Sequence, residues 1–92
     1  MNLIIVGAGE VGTYLARILA QEGHHITVID SSEAACEEVN KLDVIAVNGN
    51  GSSTSALEEA GIEKADFFIS VTNLDEVNML SCMKAKKLGD PI

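Results

Sequence analysis

Apolar residues along this chain fall into four short, nearly unbroken runs: Asn2 to Val6, His25 to Ile29, Val44 to Val47 and Asp66 to Val71. A strand with one face in water alternates apolar and polar positions, whereas an unbroken run marks a strand covered on both faces of a parallel sheet. Between the runs the apolar positions take helical spacing. Tyr14, Leu15, Ile18 and Leu19 form one stripe and predict a helix from Glu10 to Gln21, stopped by Gly23. A second helix is predicted from Ser32 to Lys41, with Ser31 or Ser32 as its cap. The third is short; Ser55 and Glu58 have capping-box spacing and Gly61 closes it. The fourth begins after Asn73 and reaches Leu88, and Asn73 with Glu76 repeats that spacing. Its apolar band of Val77, Met79, Leu80, Cys82 and Met83 is wider than one core stripe needs. Core packing accounts for half of it, and a subunit interface would account for the rest.

Strands alternating with helices through right-handed crossovers predict an α/β fold. It is a Rossmann-like, doubly wound parallel sheet in the order 3-2-1-4, three-layered, in one domain over residues 1–92. Gly89-Asp90-Pro91-Ile92 reads as a helix stop and the first residue of a fifth strand. The fold is therefore expected either to continue in a longer protein or to have its strand-four edge covered by another subunit.

Candidate chemistry starts where the first run ends. Ile4-Ile5-Val6 leads into Gly7-Ala8-Gly9-Glu10-Val11-Gly12, and Asp30 closes the second run 18 residues beyond Gly12. Strand, G-x-G-x-x-G, helix, strand and acidic residue, in that order, hold an adenine dinucleotide in a βαβ unit. Gly7 is expected to make the tight turn, Gly9 to let backbone N–H groups approach a pyrophosphate, and Gly12 to let the helix close on the sheet. Asp30 is expected to accept from ribose hydroxyls and to repel a 2′-phosphate, favouring NAD over NADP. It also has the position of a cap for the second helix, with Glu33 three residues on. Glu10 has the wrong charge for phosphates, so its side chain is expected to face solvent.

Two more loops share that rim. Asn48-Gly49-Asn50-Gly51-Ser52 reads either as a holder of the adenine edge or as an ordinary turn. Val71-Thr72-Asn73 ends the fourth run beside the first strand, and Thr72 and Asn73 are candidate ligand contacts. Asp75 and Glu76 read as helix-start residues, a cation site or a subunit contact. His24 and His25 precede the second strand, away from the rim, and read as a surface turn.

Composition narrows the partners. A chain of 92 residues that is 47% hydrophobic can pack a core, and with 3% aromatics that core must be Ile, Val, Leu and Ala. Fourteen acidic and six basic side chains leave a net charge of −8, which repels nucleic acid. The one basic cluster, Lys84, Lys86 and Lys87, more simply complements a helix dipole. Cys36 and Cys82 form no C-x-x-C and read as reduced thiols of a cytosolic protein rather than a disulfide or metal site. There is no signal-peptide pattern and no apolar stretch of spanning length, so a soluble chain able to dock on a membrane partner is expected. No Tyr-x-x-x-Lys pair, placed histidine or cysteine–histidine arrangement accompanies the rim. A binding module is therefore expected rather than an enzyme; the alternative is the cofactor half of an NAD-dependent dehydrogenase.

Val6 to Gly12, Val28-Ile29-Asp30, Asn48-Gly49, Ala60-Gly61-Ile62 and the segment Phe67 to Gly89 together resemble the nucleotide-binding domain of Trk-type potassium-uptake regulators, the RCK or KTN domain. Within them, Val71-Thr72-Asn73-Leu74-Asp75-Glu76-Val77-Asn78-Met79 is far more family-specific than the glycine run. The resemblance covers essentially the whole chain. It implies a cytosolic regulator that binds NAD(H) or an adenine nucleotide (ATP, ADP or AMP). Such a regulator gates a membrane potassium transporter through homo-oligomeric, ring-like assemblies at the inner face of the membrane. By position it implies that Gly7, Ala8, Gly9, Glu10, Val11 and Gly12 cradle the phosphates and that Asp30, followed by Ser31, holds the ribose. Asn50, in the loop with Asn48 and Gly49, would lie by the adenosine, where the family often has Asp. Val71, Thr72 and Asn73 would line the far side of the cleft. Family members continue through two more strands that carry a basic residue for the ligand phosphates.

Overall fold

The four apolar runs form one parallel sheet in a computed structural model that describes residues 1–92. The strands are β1 (Asn2–Val6), β2 (His25–Asp30), β3 (Ile45–Asn48) and β4 (Phe67–Ser70), in the order β3-β2-β1-β4. Four helices connect or follow them: α1 (Glu10–Gln21), α2 (Glu33–Val39), α3 (Thr54–Glu59) and α4 (Asp75–Gly89). Side chains alternate across a strand, so an unbroken apolar strand feeds two cores. Leu3 and Ile5 of β1 join Ile26, Val28, Ala16 of α1 and Val39 of α2 on one face. Ile4 and Val6 join Ile29, Val47, Ala56 and Leu57 of α3 and Ala85 of α4 on the other. Each fully buried Ile or Leu contributes about 1.5–3 kcal/mol, and Ile5, Ile29 and Leu57 are fully buried.

The predicted sheet order and the glycine stops hold. Gly23 (φ +91) follows α1 and Gly61 (φ +84) follows α3, each in the left-handed conformation that side chains disfavour. β4 is shorter than predicted, although Asp66 and Val71 still donate N–H bonds to Asn2 O (2.8 Å) and Val6 O (2.9 Å). β3 begins at Ile45, one residue later than predicted.

Two predicted caps are corrected. Ser32 does cap α2, accepting from Ala35 N–H at 3.2 Å. For α3 the cap is Ser53, not Ser55, because the helix starts at Thr54 and Ser55 is already in its first turn. For α4 neither Asn73 nor Glu76 caps. Leu74 occupies that position with no side-chain bond, and Thr72 Oγ1 instead accepts from Leu74 N–H at 3.2 Å.

The inner side of α4 is built from small residues, Ser81 and Ala85, and Met79, Leu80 and Met83 are exposed. Small side chains let the helix lie close against its neighbours. Its last residue, Gly89, has no room for a Cβ, which would stand 2.2 Å from Ile62 O. At the outer edge of β4, Ile92 donates its N–H to Asp66 O (3.1 Å) and accepts from Phe68 N–H (2.8 Å). Those are the two bonds of a parallel-strand residue, in the position predicted for the start of a fifth strand.

Candidate functional site

The chain leaves β1 toward β2 and later crosses to β4 on the opposite side of β1. Where such connections part, an open α/β sheet has a crevice at its carboxyl edge. Two adjoining clefts occupy that place. One, of about 230 Å³, is lined by Val6, Ile29, Asp30, Ser31, Gly49, Asn50, Gly51, Thr72, Asn73, Leu74 and Val77. The other, of about 470 Å³, is lined by Gly7, Gly9, Glu10, Val11, Asp30, Val71, Thr72 and Asn73. Asp30, Thr72 and Asn73 belong to both, so the clefts form one furrow on the scale of a nucleotide site.

Most of the predicted residues meet there, and three do not line it. Gly12 is buried beneath the glycine loop, Ala8 is turned into a backbone contact described below, and Asn48 ends β3 exposed and outside the lining. Val6, Ile29, Leu74 and Val77 line it without having been proposed as contacts, and Gly51 was offered only as part of its loop. Gly51 had a signal in the second glycine of Asn-Gly-Asn-Gly. A Cβ there would stand 2.2 Å from Val6 Cγ1, so only glycine lets this loop lie over the end of β1.

The three fingerprint glycines do different work. Gly7 (φ +111) turns the chain out of β1, and a Cβ on it would press the backbone of Val71 and Thr72 at 3.1 Å. Gly12 brings α1 onto that turn: its Cβ would stand 1.7 Å from Gly7 O. Gly9 meets nothing within 4 Å and has an ordinary φ of −78°. Neither packing nor backbone conformation requires glycine at that position. It is the N-cap of α1, no side chain caps the helix, and the space beside this helix start is open. Glu10 lines the cleft yet is exposed, as expected of a carboxylate beside a phosphate cradle.

Asp30 ends β2 half-buried, and both carboxylate oxygens are engaged. Ser32 N–H donates to Oδ1 (2.8 Å) and Ala8 N–H donates to Oδ2 (2.7 Å). The cap position offered for Asp30 is taken by Ser32, whose own N–H makes the first bond; the second bond reaches across to the glycine loop. Nearby, Cys36 is buried, and its Sγ lies 3.4 Å from Asp30 O. Burial pushes the Cys36 thiol above its ordinary pKa, and the Asp30 charge adds to the shift. Cys82 is exposed. A thiol-specific reagent at pH 8 therefore titrates one thiol rapidly in the native protein and the second only after unfolding. Two rapidly reacting native thiols would contradict this placement.

The far wall is held by a residue that the sequence reading did not single out as a contact. Asn78, on the first turns of α4, accepts at Oδ1 from Thr72 N–H (2.9 Å), Thr72 Oγ1 (2.6 Å) and Ser70 Oγ (3.0 Å). Its Nδ2 donates to Thr72 O (3.0 Å), and fully buried Ser81 donates to Ser70 Oγ (2.9 Å). This network does for the β4–α4 turn what a helix cap would otherwise do. Asn78→Leu keeps the branched shape and removes the Asn78 bonds to Thr72 and Ser70, leaving Thr72 N–H without an acceptor, so a loss of about 1–2 kcal/mol is expected. Urea unfolding checks this, and an unchanged midpoint would count against it.

The family model described as the TrkA-N domain matches residues 3–92. The chain belongs to the TrkA-N family. A Trk system potassium uptake protein TrkA homolog of Archaeoglobus fulgidus is 47% identical over 89 residues, 97% of this chain and 20% of that protein. The homolog of Methanothermobacter thermautotrophicus is 39% identical over 92 residues, 99% of this chain and 43% of that one. This TrkA-N chain thus spans less than half the length of these curated relatives. Among solved structures, the TrkA-N domain of the inner membrane protein ybaL from Escherichia coli is similar with a TM-score of 0.87 and 26% identity. That likeness covers 99% of this chain and 67% of the other. The Shewanella denitrificans Kef CTD in AMP bound form shares the fold, with a TM-score of 0.82 at 22% identity over 95% of this chain and 52% of that one.

Proposed function

We propose that this TrkA-N chain is a regulatory module without catalytic activity of its own. It binds an adenine nucleotide with an unphosphorylated ribose, NAD(H) or ATP, ADP or AMP, and so gates a membrane potassium transporter. The observation that carries the ligand is Gly9. A glycine that neither packing nor φ demands, beside open space at an uncapped helix start, is accounted for by a group that must come close to the backbone. The residues present fit a dinucleotide: Gly7, Gly9, Glu10 and Val11 surround the phosphate end, and Asp30 with Ser31 lies at the ribose. Gly49 and Asn50 lie toward the adenosine, and Val71, Thr72 and Asn73 stand opposite. No Lys or Arg lines either cleft, so backbone N–H groups supply the attraction for phosphate within this chain.

The lining also contains no His, Tyr or Cys, and His24 and His25 stand at the opposite end of β2. The potassium connection rests on the names of the relatives. No helix is long and apolar enough to cross a membrane, so in this proposal the module works through a membrane subunit. Exposed Met79, Leu80 and Met83 on α4 supply apolar surface for assembly with further copies. A ligand shifts such an assembly only by binding one of its states more tightly than the other.

Calorimetry of this chain against NAD+, NADH, NADP+, ATP, ADP and AMP tests the ligand. Binding of the unphosphorylated-ribose ligands is expected, with NADP+ about tenfold or more weaker than NAD+ because of Asp30. No heat with any of them would sink the proposal.

A further inference from the structure

We infer that Asp30 also builds the phosphate cradle, its carboxylate holding the glycine loop in the binding shape independently of any ribose contact. Ala8 stands between Gly7 and Gly9, and glycines are the most conformationally free residues. Both of its backbone polar groups are pinned. Its N–H donates to Asp30 Oδ2 at 2.7 Å, and its carbonyl accepts from Thr13 Oγ1 at 3.0 Å. One residue earlier, Gly7 N–H donates to Ile29 O at 2.8 Å. The loop is thus tied to β2 by a backbone bond and, one residue on, by a charged side chain. Hydrogen bonds to a carboxylate are shorter and stronger than neutral ones, and 2.7 Å is in their range. Ser32 N–H fixes the other oxygen at 2.8 Å, so the carboxylate cannot turn away from Ala8 without losing a second bond. An ionised carboxylate has about four acceptor positions. Two are used here, which leaves capacity for ribose hydroxyls. One side chain then serves both ends of the ligand, as an acceptor for the ribose and as a positioning residue for the phosphate loop.

The ligand part of this inference rests on the nucleotide reading of the cleft; the loop part does not. The test compares Asp30→Asn with Asp30→Ala using 2′,3′-dideoxy-ADP, a ligand with no ribose hydroxyls for residue 30 to read. Both variants lose the negative charge, so its repulsion of phosphate cancels between them, but Asn keeps one acceptor oxygen, shared between Ala8 N–H and Ser32 N–H, whereas Ala keeps none. Calorimetry is expected to show D30N binding this ligand about fivefold or more tighter than D30A. Amide hydrogen exchange without ligand is expected to show Ala8 protected in the wild type and exchanging about tenfold or more faster in D30A. D30N is expected to fall between them. Equal affinities of the two variants for the dideoxy ligand would overturn the inference, and so would Ala8 exchange that ignores residue 30. If the wild type binds neither ADP nor its dideoxy analogue, the exchange result alone decides whether Asp30 holds the loop, and the nucleotide reading falls only if NAD+, NADH, ATP and AMP give no heat as well. Should D30A fail to fold, Ala8 exchange in D30N against wild type carries the test.

Discussion

Gly12→Ala is expected to destabilise the domain by about 3 kcal/mol and to abolish nucleotide binding with it. The added methyl carbon would stand 1.7 Å from Gly7 O and 2.8 Å from Gly7 C. Both are backbone atoms, so no rotamer change relieves the overlap. Either α1 moves off the sheet, opening the packing of fully buried Ala16 against β1 and β2, or Gly7 leaves its turn. Gly7 has little room to do so, because Val71 and Thr72 already crowd it. For a domain of this length each kcal/mol lowers the melting temperature by about 4–8 °C, so thermal unfolding should fall by well over 10 °C. A melting point within a few degrees of wild type would show that the helix start is softer than these distances say.

Gly9→Val should do the reverse. Nothing lies within 4 Å of the position a Cβ would take, and φ is −78°, so the fold loses only the preference for glycine over valine at an N-cap, about 1 kcal/mol. The ligand loses far more. A branched side chain there fills the space through which phosphate oxygens reach the first-turn N–H groups of α1. Losing two such charge-assisted bonds amounts to about a hundredfold or more in affinity. Melting and calorimetry on the same sample separate the two effects. Retained ADP or NAD+ affinity in a folded Gly9→Val protein would remove the strongest support for the nucleotide cradle.

Those two glycines mark how far the sequence could be read. The pattern named both, and the spacing assigned Gly12 to helix packing and Gly9 to a close backbone approach, but not how tightly the first is squeezed or how open the second stands. That difference is a distance to Gly7 O in one case and an empty volume in the other. The caps show the same limit at short range. Ser55-x-x-Glu58 and Asn73-x-x-Glu76 satisfied a spacing rule, yet Ser53 and a Thr72–Asn78 network hold the helix starts. A shift of one or two residues in where a helix begins changes which side chain reaches the free N–H groups. On α4 the apolar residues suggested the core side, but the core takes Ser81 and Ala85 because close helix–sheet approach rewards small volume over hydrophobicity.

By itself the sequence determined the class and the wiring. Unbroken apolar runs require strands covered on both faces, and strand–helix alternation with one fixed crossover hand leaves few sheets to choose from. It also pointed to the rim where the clefts lie, since the glycine run and Asp30 are at the carboxyl ends of adjacent strands. Only the tertiary structure decided which of those residues face the furrow and which support it. Ala8 and Gly12 became framework, Gly51 and Val77 became lining, and Asp30, read as a ribose contact and a helix cap, proved to be bonded to the glycine loop. The physical reason is one of range. Strand and helix formation follow from neighbours a few positions away, whereas the loop–carboxylate bond joins residues 22 apart that only the folded sheet brings within 2.7 Å.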